Sequence, residues 1–412
     1  MTIYKINHSE NIIFNLYTTE VDITINNRER IQARIARDKA KKLEKRKLKA
    51  EKYNVDNIFK MQNFVDALNK CNKSVMWKGS VQKYNRYAIQ NMYTTVKVIE
   101  NGELPKLVNT NRISLYERGK ERIIVPITIE DRIIQRVLCD NAIVSSAKDN
   151  LIYDNGASTK DKGIDFARRR MYSHLKSAIR EYGTDFYILT FDFKSFFDSI
   201  PHSSCRYVLD KYISNNGLND IIMKIIKSYY KNGEDVGICL GSQISQMMAL
   251  IVPNDLDHYI KDKMSVKHYI RYMDDGVIIS DDKEFLKELY AGMCEIVEKL
   301  GLKFNTKKTH IVKASRGFKF LKTKYNITKD GNIIRRPVRK GIVRMRRKIK
   351  KFINFIKNGV RTIEEMYASF QSWLSHLKYV KHRKTLQSMC KYINRLMGYR
   401  LGNMRGGLIN VL

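Results

Sequence analysis

The segment 268–281, HYIRYMDDGVIISD, constrains this chain more than any other, because two adjacent carboxylates, Asp274 and Asp275, interrupt a run of apolar and β-branched residues. Like charges held together away from water repel, and one of them neutralises unless a cation joins the pair. The flanks Tyr269-Ile270-Arg271-Tyr272 and Gly276-Val277-Ile278-Ile279 have strand character, which predicts a hairpin with the acids at its tight turn. Two readings follow. Asp-Asp-Gly is an ordinary surface turn, since Asp tolerates turn geometry and Gly supplies a positive φ. It is also how a hairpin tip would present acids to Mg²⁺. A third carboxylate in a similar setting decides between them.

Segment 186–200, FYILTFDFKSFFDSI, supplies it. Phe186, Ile188 and Thr190 alternate with Tyr187, Leu189 and Phe191, the period of a strand, and Asp192 falls where that strand ends. Phe193, Phe196 and Phe197 follow, as core or as a dry wall for a nucleotide sugar, before Pro201 opens a new element. An isolated buried carboxylate needs a partner, so Asp192 does not fit a purely structural role.

These residues carry a family resemblance. Phe191-Asp192 with Phe197, then Gly241-Ser242-Gln243-Ile244-Ser245-Gln246, then Tyr272-Met273-Asp274-Asp275, resemble in order and spacing the A, B and C motifs of reverse transcriptases. Gly119-Lys120-Glu121-Arg122-Ile123-Ile124-Val125-Pro126 with Asp131-Arg132-Ile133-Ile134-Gln135 is similar to a fingers motif of the prokaryotic members, and Asn155-Gly156-Ala157-Ser158 to the next fingers block. Leu300-Gly301-Leu302 through Lys307-Lys308-Thr309 resembles motif D, and Gly317-Phe318-Lys319-Phe320-Leu321 the primer-grip hairpin. The resemblance is dense from residue 114 to residue 325 and thins outside that range. So many ordered matches are far more specific than any one motif.

The resemblance implies a fold of the α/β plus α class, a right-hand polymerase with fingers, an antiparallel palm sheet flanked by helices, and a helical thumb. Its expected divisions are a basic, mainly helical extension at 1–75, fingers at 76–185, palm at 186–333 with a fingers insertion around 205–240, and thumb at 334–412. The implied chemistry is phosphoryl transfer, which depends on positioning and charge neutralisation by two metal ions. Asp192 and Asp274 would be the principal ligands of two Mg²⁺ ions, with Mn²⁺ as a substitute. Asp275 completes the triad, and Phe193 joins the metal-binding positions. Arg122, with Lys120 near it, would take the triphosphate, since a guanidinium fork suits phosphate. Phe197 would be a steric gate against the 2′-hydroxyl, with Gln246, Tyr272 and Met273 lining the nucleotide pocket. Lys308, or Lys307, would donate a proton to the leaving pyrophosphate, the alternative being a solvated surface lysine.

Composition agrees. A net charge of +35 over 412 residues predicts salt-dependent attraction to a polyanion. No segment approaches the length of an apolar membrane span, and the first residues lack a basic region followed by an apolar core, so a cytoplasmic protein without a membrane partner is expected. Cys71, Cys139, Cys205, Cys239, Cys294 and Cys390 form no Cys-x-x-Cys pair, which leaves reduced thiols as the default. Segment 28–52 reads as one long basic helix offering Arg34, Arg37, Lys41 and Lys45 to RNA or to solvent. Met76-Trp77-Lys78 and Tyr84-Asn85-Arg86-Tyr87 mix aromatics with cations, which suits stacking on bases as well as packing. Segment 334–340 reads as a basic linker with a proline breaker. The helix predicted after it sets Val343, Ile349, Phe352, Phe355 and Ile356 against a basic face that includes Arg344, Arg347 and Lys348.

The expected activity is RNA-directed DNA synthesis from dNTPs, with an RNA template and an RNA/DNA duplex as partners. Motif B is similar to that of diversity-generating retroelement enzymes, although Leu250 and Pro253 stand where that group carries asparagine and leucine. An antiphage-defence enzyme with a cognate noncoding RNA or accessory protein is the alternative. The third is a non-catalytic RNA-binding protein that keeps a polymerase-like fold.

Overall fold

The computed structural model describes residues 27–103, 113–117, 120–148, 150–229, 235–375 and 377–398. Helix α1 (Asn27–Lys52) is continuous, as a run of strong helix formers dictates. Arg34, Arg37, Lys41 and Lys45 are exposed on it, as are Leu43 and Leu48, at 57% and 60%. Helices α2 (Met61–Asn72), α3 (Gly79–Arg86) and α4 (Ala88–Glu100) follow. The antiparallel ribbon of β1 (Ile113–Glu117) and β2 (Lys120–Ile124) sets Leu115 opposite Arg122. Helix α5 (Ile129–Leu138) packs on α2 through the face that buries Ile133, Ile134, Val137 and Leu138.

The long helix α6 (Ile164–Tyr182) leads into the sheet that positions the acids. Strand β3 (Tyr187–Asp192) is followed by α7 (His202–Tyr212), α8 (Asn216–Ser228) and α9 (Gln243–Ile251). Then come β4 (His268–Tyr272), β5 (Asp275–Ser280), α10 (Lys283–Lys299) and β6 (His310–Lys313). The strands lie in the order β4-β5-β3-β6, all antiparallel. Ile188, Ile270, Val277 and Ile279 face the cluster around α6, while Leu189, Phe191, Tyr269 and Ile278 face the larger core. Burial on both faces explains why these strands read as nearly unbroken apolar runs. Phe191 lies opposite Gly276, where a Cβ would come within 2.1 Å of its ring, so glycine is the residue that lets the two strands close.

Beyond the palm sheet, β7 (Phe318–Phe320), β8 (Thr323–Ile327) and β9 (Ile333–Pro337) form a small antiparallel sheet. The expected linker at 334–340 is therefore mostly a strand, with Pro337 paired to Thr323. Proline is tolerated there because β9 is an edge strand that need not donate outward. Helices α11 (Arg339–Lys357), α12 (Ile363–Ser375) and α13 (Arg383–Met397) build a bundle on their own core. The stripe that α11 buries is Met345, Ile349 and Ile353, four residues apart, whereas Val343 and Phe355, expected inward, are 38% and 47% exposed. Among the described residues no helix is long and apolar enough to cross a membrane.

Candidate active site

The hairpin between β4 and β5 pairs Tyr272 with Asp275, which leaves Met273 and Asp274 as its two-residue loop. Met273 has φ +53, a left-handed conformation that costs a non-glycine residue about 1 kcal/mol. Arg271 holds it there. Its Nη1 donates to the Met273 carbonyl at 2.9 Å, its Nη2 to the Leu250 carbonyl at 2.9 Å, and its Nε and Nη2 to Asp257 at 2.8 and 2.6 Å. The Tyr269 hydroxyl donates to the same carboxylate at 2.7 Å, and Arg271 and Asp257 are both fully buried. On the outer edge of β4, the Gly156 N–H donates to the Arg271 carbonyl at 2.9 Å, so the second fingers block braces the hairpin through its backbone.

Sheet register puts Asp192 directly opposite Asp275. Asp192 is 7% exposed, and the Nζ of Lys308 lies 2.7 Å from each of its carboxylate oxygens. Burial raises the Asp275 carboxyl to about 7, with Asp274 and Asp192 adding repulsion and a hydrogen bond to Asp192 favouring the protonated form. Burial and then Asp192 also push Asp274 up, while Lys308 and Arg122 pull it down. For Lys308, burial acts downward but is outweighed by Asp192, with Asp275 and Asp274 behind it, so the ammonium is held above its usual range.

Phe193 bridges to Phe304 between two flanking bonds, Lys194 N–H to the Lys303 carbonyl and Asn305 N–H to the Asp192 carbonyl. The Phe193 carbonyl takes part in neither, and as its ring is buried, that carbonyl is the only group it can offer a cation. Phe197 is half-buried in the short helix Phe196–Ser199, its ring edge-on to Phe196 at 5.9 Å. Gln246 is exposed on α9, and Tyr272 and Met273 are half-buried beside the loop. Arg122 is exposed on the fingers ribbon, near enough for its charge to act on Asp274. The Lys120 side chain lies outside the described residues.

A groove of about 1200 Å³ opens beside the acids. Asp192, Asp274, Asp275, Lys307 and Lys308 line its palm end, Phe320 and Leu321 its floor, and Arg344 and Lys348 its thumb side. Arg122, Phe197, Gln246, Tyr272, Met273 and Arg347 are not among its walls. Among the described residues, no group of three His, Cys, Asp or Glu side chains is placed to hold a metal ion. The acids fit instead an open Mg²⁺ site of the kind completed by water and substrate phosphate. The lysine ammonium on Asp192 fits a cluster of acids that attracts positive charge, in keeping with the upward shift of Asp275 caused by burial and its neighbouring acids.

Sequence reading missed two supports. Gln135 accepts from the Ser242 hydroxyl at 2.9 Å and from the Gln243 N–H at 3.0 Å, and donates to the Tyr229 hydroxyl, which fixes the start of the motif B helix to the fingers. Gly241, at φ +105, makes the turn into that helix. The other support is the Arg271–Asp257 pair, whose signal was a lone cation in an apolar strand, a residue that must find a buried partner.

An acid-tipped hairpin laid beside an acid-ended strand, with a fingers arginine acting on one side and a basic groove leading to a helical bundle on the other, is the palm of a right-hand polymerase. Comparison of sequences then supplies the family. A model described as reverse transcriptase (RNA-dependent DNA polymerase) matches residues 104–324, more than half of the chain, which therefore belongs to that family. No curated protein matches it. Among solved structures, apo telomerase from Candida tropicalis truncated from its C-terminal domain is similar at 12% identity and TM-score 0.44, covering 61% of this chain and 60% of that one. Telomerase from Candida albicans in complex with a TWJ fragment of telomeric RNA is similar at 14% identity and TM-score 0.42, covering 69% and 58%. The chain thus spans about 60% of the length of these structures.

Proposed function

We propose that this reverse transcriptase copies an RNA template into cDNA by two-metal nucleotidyl transfer, in the cytoplasm, for a bacterial or phage retroelement of the diversity-generating type. The observation that carries the catalytic reading is the convergence of Asp192, Asp274 and Asp275 at one end of the sheet, where an ammonium seats on Asp192. Asp192, Asp274 and the Phe193 carbonyl would hold the divalent ions, with Asp275 in support. When bound, such ions neutralise charge on the attacking and leaving oxygens. Arg122 orients the triphosphate from the fingers side, Phe197 screens the sugar, and Gln246, Tyr272 and Met273 shape the pocket between them. The thumb cations Arg344, Arg347 and Lys348 hold the RNA/DNA duplex by its backbone, and Arg34, Arg37, Lys41 and Lys45 on α1 hold template RNA.

Motif B, Gly241 to Gln246, supports the diversity-generating assignment, whereas Leu250 and Pro253 depart from that group's pattern and leave room for a second reading, an antiphage-defence enzyme copying a dedicated noncoding RNA. Primer extension on RNA with Mg²⁺ and dNTPs tests the chemistry. Asp274→Ala/Asp275→Ala is expected to lose roughly a thousandfold or more in rate, and equal rates would refute the catalytic reading. Sequencing cDNA from cells separates the roles, since adenine-directed errors over a repeat mark diversification and faithful copies of one noncoding RNA mark defence.

A further inference from the structure

Lys308 does more than stand near the triad. Its ammonium contacts both oxygens of Asp192 at 2.7 Å, so it covers the whole coordinating edge of that carboxylate. The segment that carries it is fastened to the same residue. The Asn305 N–H donates to the Asp192 carbonyl at 2.7 Å, and the Lys308 and Thr309 N–H groups donate to the Asn305 carbonyl at 2.9 and 3.0 Å. The backbone of Lys308 therefore cannot retreat from Asp192 without breaking these bonds. Its side chain, 54% exposed, has open solvent to turn into once its contact with Asp192 is broken. Lys307, next in the chain and also lining the groove, has no acid partner among the described residues, so proximity alone does not produce the contact.

We propose that Lys308 is a tethered ammonium that competes with a divalent ion for the carboxylate of Asp192 and must be displaced before the ion can load there. The proposal rests on the reading of Asp192 as a metal ligand. A divalent ion about 2.1 Å from a carboxylate oxygen cannot share that edge with an ammonium, both for space and for like-charge repulsion. Loading is therefore an exchange, and the affinity of the site for metal is lowered by the bond that must break. The displaced ammonium stays within one side-chain length of Asp192, because the backbone bonds persist. Freed there, it can pair with the phosphates of an incoming nucleotide, so metal and nucleotide each favour the other.

Binding of Mn²⁺ to the full chain without nucleic acid, followed by the electron paramagnetic resonance of free Mn²⁺, tests the exchange without requiring turnover. Lys308→Met is expected to bind Mn²⁺ about tenfold more tightly than wild type. Lys307→Met removes the same charge from the same groove and is expected to change affinity by no more than about twofold. Lys308→Arg, which keeps the cation, should stay close to wild type. Adding dATP should tighten Mn²⁺ binding in the wild type more than in Lys308→Met. Equal shifts for Lys308→Met and Lys307→Met, or weaker binding in Lys308→Met, would overturn the proposal. Asp192→Asn separates the two layers: if it binds Mn²⁺ as the wild type does, the metal-ligand reading itself fails, and if its binding is lost while Lys308→Met is unshifted, only the exchange fails.

Discussion

Asp275 is the residue whose chemistry depends most on its surroundings. Its carboxyl is raised to about 7 by burial and by the two neighbouring acids, against about 3.9 in an unfolded chain. The sign of the linkage follows. Below about pH 4 the group is protonated in both states and costs nothing; as pH rises toward 7 the unfolded chain ionises first, and the folded metal-free protein loses stability until both are ionised. Asp275→Asn removes this penalty. The expected outcome is a melting temperature for the EDTA-treated protein roughly 2–4 °C above wild type at pH 8 and a smaller difference at pH 5, read by scanning fluorimetry. Metal binding must expel the same proton, so Mn²⁺ affinity in the wild type should fall by up to about tenfold per unit below pH 7.

At the scale of elements, the hairpin stands on a buried cation. Arg271 ties the strained Met273 loop to α9 through Leu250 and to Asp257, and removing one member of such a pair strands the other without a partner. Arg271→Met is expected to cost roughly 3–5 kcal/mol in urea unfolding, far more than replacement of an exposed arginine such as Arg34. This element also marks where sequence reading runs out. The hairpin, the strand ending at Asp192 and the thumb helices were legible because alternation and helical spacing are local signals. The partner of Arg271 was not, because Asp257 lies on the preceding helix Asn254–His258, and nothing in the spacing of the two announces the contact. Strand β9 reads as a linker for the same reason: Arg335-Arg336-Pro337 has the composition of a breaker, and only pairing with β8 makes it sheet. At the site, the order of motifs located the acids, but the grip of Lys308 on Asp192 depends on the fold of the turn around Asn305.

For the whole molecule, the +35 charge and the groove between palm and thumb point the same way. Affinity for an RNA/DNA duplex should fall steeply between 50 and 200 mM salt, by about 10³-fold if roughly six phosphates are neutralised. Deleting residues 28–52 should flatten that slope, as measured by fluorescence anisotropy; an unchanged slope would return α1 to the role of a solvated helix. Charge of this size attracts nucleic acid but does not orient it. The joint between the small sheet and the thumb is short. Strand β9 ends at Pro337, whose ring fixes its own φ, and α11 begins at Arg339, so Val338 alone separates them. Further along, the Lys381 N–H donates to the Arg335 carbonyl at 3.0 Å, and the Tyr379 hydroxyl donates to Asp165 on α6 at 2.8 Å. A joint with one residue of slack and two clasps transmits force where a loose linker would absorb it. A push on the bundle would thus reach the small sheet, whose Phe320 and Leu321 line the same groove as the acids.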